Sequence, residues 1–292
     1  MSEDCEDRVN RFLLDDLDIG GAVVRLGPVW QTMLAGRDYP PAVVGVLGEM
    51  TATTLLLGGK LKQPGRLTIQ LRGDGAVSLL VIDCDERLRI RGMARCEQDP
   101  GEGSARALLG QGQLLMSLDM PSMREPYQSI VPLDGDSIAE IFEHYFRQSD
   151  QQPARFFLAA SPAGAAGLFL QKLPNADRRD ADGWARIEAL AATVTAAELL
   201  ALPAETLLRR LFRDETTRLF PARPVAYNCP EDWEKVRALL RSLGRDEVYA
   251  ALRERGEIVI KDDICNRDYR FDALAIQELF ADTAPSTPPT LH

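Results

Sequence analysis

Histidine is nearly absent from this chain, with only His144 and His292 among 292 residues. That excludes histidine-rich metal sites and leaves one internal partner for a nucleophile–His dyad. His144 falls in the helix-like run Ile138-Ala139-Glu140-Ile141-Phe142-Glu143-His144-Tyr145-Phe146, where it reads as a structural or solvent-facing side chain. Cysteine is scarce too. Five residues, an odd count with no Cys-x-x-Cys, fit a reducing compartment better than a secreted disulfide framework. Positive charge is in deficit: 34 Lys and Arg face 44 Asp and Glu, and the net charge of -10 argues against nucleic acid or an anionic membrane as partner. No apolar run approaches the roughly 18 residues of a membrane span. The start, Met1-Ser2-Glu3-Asp4-Cys5, lacks the basic and apolar stretches of a signal peptide, so the expected location is cytoplasmic. Gly58-Gly59-Lys60 lacks the spacing and the following Ser/Thr of a phosphate loop. No enzyme is visible.

What is present is a chain that is 45% hydrophobic, long enough for one large or two ordinary domains. An amphipathic stretch runs from Val9 to Asp18 and closes at Gly20-Gly21. Pro40-Pro41 opens a helix through Val43, Val46, Leu47, Met50 and Leu55, apolar nearly all round and therefore buried, which Gly58-Gly59 stops. The period then changes to two. Leu67–Leu71, Val77–Ile82 and Leu88–Ala94, parted by turns, predict an antiparallel meander with Cys84 and Cys96 at its edges. Further strands are expected at Leu114–Leu118 and Tyr127–Pro132, and a final hairpin at Phe156–Ala160 and Gly167–Lys172. Between them Asp134-Gly135-Asp136-Ser137 starts a helix; Ser137 and Glu140 as a capping box account for these carboxylates more simply than an acid–base pair.

Residues 1–174 thus read as an α+β domain, and the polar, turn-rich residues 174–184 open a linker. Short helices follow to about 223, with Thr195 and Glu198 as a second capping box and Pro203 starting a helix through Leu207, Leu208, Leu211 and Phe212. Their apolar stripe must cover something: the N-terminal domain, the C-terminal domain or another protein. A small α+β module occupies 224–281. In it Pro230 suits a first helical position, Trp233, Val236, Leu239, Leu240 and Leu243 form one face, and a second helix spans Asp246–Arg255. A hairpin through Glu257–Lys261 and Tyr269–Phe271 leads to a helix capped by Asp272. The tail 282–292, with three prolines and no apolar cluster, is expected to be disordered.

Two C-terminal segments carry a family likeness: Tyr227-Asn228-Cys229-Pro230-Glu231 and Asp262-Asp263-Ile264-Cys265-Asn266, with Arg241-Ser242-Leu243-Gly244 between them. With Tyr39-Pro40, Gly65–Gly75, Arg91–Arg95, Glu198-Leu199-Leu200 and Leu208–Phe212, they make the chain resemble the redox-switched holdase chaperones, the 33 kDa chaperonin family, over nearly its whole length. The resemblance implies a substrate-binding α+β domain, a helical linker and a C-terminal zinc domain held by four cysteines. In that family oxidation forms two disulfides, expels zinc and exposes apolar surface that captures unfolding clients. Here the Cys-x-Cys pair has become Cys229-x-Glu231, and the Cys-x-x-Cys pair has become Asp262-x-x-Cys265.

The resemblance therefore implies a degenerate site for Zn(2+) at Cys229, Glu231, Asp262 and Cys265, weaker and less selective than four thiolates. Two disulfides cannot form there, whereas a single Cys229–Cys265 bridge can if the family geometry persists. The carboxylates have another reading: Glu231 and Asp232 complement a helix start, and Asp262 and Asp263 are turn residues. The implied activity is an ATP-independent holdase with an altered or lost redox switch, its client surface including Leu199, Leu200, Leu207, Leu211 and Phe212. The implied partners are unfolding proteins, with a homodimer left open. The alternatives are a thiol-based redox enzyme using Cys229 or Cys265, and a scaffold or adaptor that keeps the fold.

Overall fold

A computed structural model describes residues 7–61, 63–149 and 152–281. In chain order it begins β1 (Arg8–Leu14), β2 (Ile19–Leu26), α1 (Pro28–Leu34), α2 (Pro41–Gly58), β3 (Arg66–Gly73), β4 (Val77–Asp85) and β5 (Arg89–Cys96). Then come α3 (Ala105–Leu109), β6 (Gly112–Asp119), β7 (Tyr127–Pro132), α4 (Ile138–Ser149), β8 (Ala154–Ser161) and β9 (Gly164–Lys172). Next are α5 (Ala176–Arg179), α6 (Gly183–Ala191), α7 (Ala196–Ala201), α8 (Ala204–Leu211), β10 (Thr217–Leu219), β11 (Arg223–Pro224) and β12 (Ala226–Tyr227). The chain continues through α9 (Trp233–Leu243), α10 (Arg245–Arg255), β13 (Ile258–Asp262), β14 (Arg267–Phe271) and α11 (Ala273–Ala281). It divides into two compact units, Met1–Asn228 and Cys229–His292.

The first unit holds two sheets. One runs β10-β1-β2-β9-β8, with β11 also on β1; the other runs β12-β5-β4-β3-β6-β7. Helix α2 lies between them, where Val43, Leu47, Met50, Leu55 and Leu56 meet Val24 and Phe169 of the first sheet and Ile69, Leu80 and Ile82 of the second. The helix is long and apolar enough to cross a membrane, at mean hydropathy 1.4 over its 18 residues, which corrects the expectation that no run approaches that length. In this unit it is a core helix, with 78% of that stretch buried. Its threonines tolerate burial because each hydroxyl donates one turn back: Thr51 to Leu47 O at 2.7 Å, Thr53 to Glu49 O at 2.9 Å, and Thr54 to Met50 O at 2.8 Å. Gly48 lets the helix approach β8, since a Cβ there would collide with that of Ala160.

The meander, the strands β6 and β7 and the β8–β9 hairpin occur where the period of two places them. The opening stretch Val9–Asp18 proves to be strand β1 and its turn. The capping box at Thr195 forms in full, Thr195 Oγ1 accepting from Glu198 N and Glu198 accepting from Thr195 N, while the one expected at Ser137 forms only in half. At α4, Ser137 Oγ accepts from Glu140 N at 3.2 Å, while Glu140 reaches one residue further, to Asp136 N at 2.6 Å. His144 is half-buried on α4 with Nδ1 3.4 Å from Asp134 Oδ2. Helix formation begins inside the expected linker opening, at α5 and α6.

In the second unit, Val236, Leu240, Val248, Leu252, Ile258, Tyr269, Phe271, Ile276 and Leu279 make a small core around the β13–β14 hairpin. Two expectations are corrected. Helix α9 starts at Trp233 with Asp232 as its cap, accepting from Lys235 N, so Pro230 precedes the helix. Of its anticipated face only Val236 and Leu240 are buried; Leu239 and Leu243 are exposed, and Trp233 lies edge-on to Tyr269. Asp272 caps α11 by accepting from Ala275 N at 2.8 Å. The expectation for the tail falls on 282–292, outside the described residues.

Burial of Glu49 on α2 pushes its carboxyl pKa up to about 7. The folded state therefore keeps a proton that the unfolded chain releases, and stability declines as pH rises from about 4.5 to about 7. Glu49→Gln should raise the stability of the first unit by roughly 1–3 kcal/mol at pH 8 and change it little near pH 4.5. Urea unfolding across that range checks this; equal stabilities at pH 8 would contradict it.

Candidate functional site

Strands β1, β2 and β9 carry apolar residues at both parities, so their sheet needs a cover on each face. Val9, Val24, Leu26 and Phe169 point to α2. Phe12, Leu14, Ile19, Val23, Leu168 and Leu170 point the other way, where Ile187 and Ala191 of α6, Leu199 of α7, and Leu207, Leu208, Leu211 and Phe212 of α8 and its end cover them. Of the open alternatives for the linker stripe, the structure selects the N-terminal sheet. Leu199, Leu207, Leu211 and Phe212 are 0–3% exposed, while Leu200 is half-buried beside them. Gly21 admits the Phe12 ring, which would strike any Cβ at that position. Phe212 in turn stacks at 6.1 Å from Phe12.

Polar ties fix this lid at its ends. Buried Arg25 of β2 donates to Ala201 O at 2.6 Å, at the C-terminal, negative end of α7. Arg155 of β8 bridges Glu188 of α6 at 2.5 Å and Glu143 of α4 at 2.6 Å. Glu143, itself buried, also accepts from Phe156 N at 2.9 Å. Arg210 pairs with Glu198 at 2.5 Å, and Arg186 with Glu215 at 2.9 Å. Hydrogen bonds from Thr195, with Arg210 adding its charge, hold the Glu198 carboxyl below its ordinary range. Sequence patterning missed these ties because their partners lie far apart in the chain. Beyond the lid, Val225 N donates to Asp7 O at 2.8 Å and Asn228 N to Ile90 O at 3.0 Å, which stitches the chain down to the residue before Cys229.

In the second unit the structure joins Cys229 to Cys265 by a disulfide, with Cα atoms 5.7 Å apart. Both cysteines are half-buried. Glu231 accepts from Trp233 Nε1 at 2.8 Å and lies 3.9 Å from Arg267 Nε. Asp262 Oδ1 accepts from Ile264 N at 3.0 Å and Cys265 N at 3.1 Å, holding the turn in which Asn266 takes φ of 48°. The two cysteines are therefore brought together, and each carboxylate serves local structure. In this oxidised form the set does not fit zinc, because the joined sulfurs offer no thiolate. Among the described residues no three His, Cys, Asp or Glu side chains gather into a metal-holding group. Of the free cysteines described, burial foremost pushes Cys84 up to about 12 and raises Cys96 as well, so neither is an activated thiol.

The family model for Hsp33 protein matches residues 7–272. The chain is 38% identical over 276 residues to the 33 kDa chaperonin of Nitrosococcus oceani, covering 94% of this chain and 95% of that one. It is 41% identical over 290 residues to the 33 kDa chaperonin of Azotobacter vinelandii, covering 97% of each. The fold matches the crystal structure of the 33 kDa chaperonin of Thermotoga maritima with a TM-score of 0.81 at 22% identity, over 95% of this chain and 99% of that one.

The disulfide spans 36 positions, a loop whose closure restricts the unfolded chain by about 4 kcal/mol. Replacing Cys229 and Cys265 with Ser should lower the stability of the second unit by about 2–4 kcal/mol. Pulse proteolysis in urea, reading cleavage within 229–281, measures this; an unchanged midpoint would show that the bridge does not restrain the unit.

Proposed function

Because the chain belongs to the Hsp33 protein family, we propose that it is an ATP-independent holdase that binds unfolding proteins in the cytoplasm and keeps them from aggregating. The observation that carries this reading is the apolar face of β1, β2 and β9 lying under short helices rather than under a second sheet. Helices α6, α7 and α8 have 9, 6 and 8 residues, short for stability on their own, so most of their order derives from the sheet beneath. Release would expose two complementary apolar surfaces together: the sheet residues and Leu199, Leu200, Leu207, Leu211 and Phe212. A client could then occupy either.

The control differs from a four-thiolate switch. With Glu231 engaged by the Trp233 indole and Asp262 by its turn, zinc is not the organiser of the second unit in our reading. The single Cys229–Cys265 bridge adjusts its stability, and warming releases the lid. Reduced, the set would offer zinc two thiolates and two carboxylates once those hydrogen bonds were given up. The alternative of a thiol enzyme at Cys229 or Cys265 would show catalytic thiol turnover in place of stoichiometric client suppression.

Light scattering from a thermally unfolding client such as malate dehydrogenase tests the reading. The wild type should suppress aggregation at near-stoichiometric ratio without ATP on warming, and the Cys229→Ser/Cys265→Ser variant should retain most of that activity. No suppression in reduced, oxidised or heated protein would leave a scaffold that merely keeps the fold. An inert double variant beside a peroxide-responsive wild type would restore the thiols as the switch.

A further inference from the structure

Edge strands are ordinarily blunted by charge, brevity or a cover. Three of the sheet ends in the first unit follow that rule. Strand β10 has three residues, and Arg218 on it pairs with Asp15. Strand β12 has two residues. Strand β8 carries Arg155 in its ion pairs with Glu143 and Glu188. Strand β7 is different. It closes its sheet beside β6, with no further strand on its outer side among the described residues. From Pro126 to Leu133 it has no charged side chain. Tyr127 and Ile130 are 56% and 58% exposed, and Met123, just before the strand, is 40% exposed.

The backbone parity of this edge can be assigned. Leu133 N donates to Gly112 O at 3.0 Å, so Leu133 turns its amide toward β6. Residues that bond a neighbour alternate along an antiparallel strand. Tyr127, Ser129 and Val131 therefore share that orientation, and Gln128 and Ile130 turn N–H and C=O outward. Pro126 and Pro132 limit the outward amides of this open row to Gln128 and Ile130. Such a row is complementary to an extended backbone, not to a helix face or a folded surface. Its uncharged side chains, on a chain of net charge -10, favour a neutral or basic apolar segment over an acidic one.

We propose that the outer edge of β7 accepts an extended, apolar segment of an unfolding protein as an added strand, through the backbone of Gln128 and Ile130 and the side chains of Tyr127 and Ile130. The proposal rests on the holdase reading and supplies a first contact that needs no lid release, because this edge is already exposed. A second copy of the chain is the less favoured occupant. A six-residue strand addition covers well under the about 800 Å² per partner of a standard stable interface, which suits a reversible client contact instead.

Hydrogen exchange of residues 127–132 with and without unfolding malate dehydrogenase tests this directly, alongside light scattering for three variants. Client should slow exchange at Gln128 and Ile130 by about tenfold or more. Ile130→Pro removes an amide that β6 does not use, and Ile130→Lys adds the charge that edges ordinarily carry. Each should raise the chaperone concentration needed for half-suppression by about five- to tenfold, while Ile130→Val should behave as wild type. The Lys variant keeps every backbone group, so the test stands if the Pro variant folds poorly. Client protection by the wild type without slowed exchange at 128 and 130, and with fully active Ile130 variants, would overturn the edge and leave the holdase reading intact. Protection of these amides that depends on the chain's own concentration would name a second copy as occupant and overturn the proposal. Absence of any client protection would overturn both.

Discussion

One sheet with two apolar faces sets the terms for the whole first unit. Strands β1, β2 and β9 present Val24 and Phe169 to one side and Phe12, Val23 and Leu168 to the other. Water on either side would cost roughly 25 cal/mol for each Å² of apolar surface left uncovered. Helix α2 covers one side as part of a continuous core that extends into the second sheet. The lid covers the other with short helices that have their own exposed backs. The two covers are thus unequal in kind: α2 belongs to the core shared by both sheets, whereas the lid packs on one face of one sheet only. A holdase needs that inequality, since it must expose apolar surface without losing its own fold.

The second unit works within a narrower margin. Its core of nine buried apolar residues is small, and small domains depend on staples or metals to hold them. Here the staple is a disulfide, supported by hydrogen bonds from the residues around it. Asp232 N donates to Tyr269 Oη at 2.9 Å, which ties the start of α9 to β14. Asp262 holds the turn that presents Cys265. At two positions that a four-thiolate site would devote to metal, Glu231 accepts from the Trp233 indole and Asp262 from backbone amides of its turn. The bridge closes a loop across this unit, so its reduction should lower the unit's stability.

How much of this was legible in the sequence depended on the range of the interaction. Local periodicity located α2, the meander and the C-terminal hairpin, because alternation and helical spacing are properties of neighbouring residues. Capping at Thr195, Ser137 and Asp272 was equally legible. Helix α1 was not, because its cap comes from Asp7, whose Oδ1 accepts from Gly27 N at 3.0 Å, twenty residues away. The strands β10, β11 and β12 are too short to show a period. The partner of the linker stripe could not be chosen from its own residues, since Leu207 and Phe212 would suit any apolar surface. Only the odd-numbered residues of β2 and the even-numbered ones of β9, seen together, identify it. At Cys229 and Cys265 the family resemblance left a single bridge open, while the engagements of Glu231 with Trp233 and of Asp262 with Cys265 N required coordinates.

The central claim is that the lid can leave while its sheet stays folded. Hydrogen exchange of the whole chain on stepwise warming, in oxidising and in reducing buffer and with and without a metal chelator, addresses it most directly. Amides at 183–212 should lose protection several degrees before those of β2 and β9, and reduction should weaken protection at 229–281. Chelator should have no effect on either segment. Simultaneous loss of protection in the lid and in β2 and β9 would contradict the account, and so would a collapse at 229–281 on chelation alone.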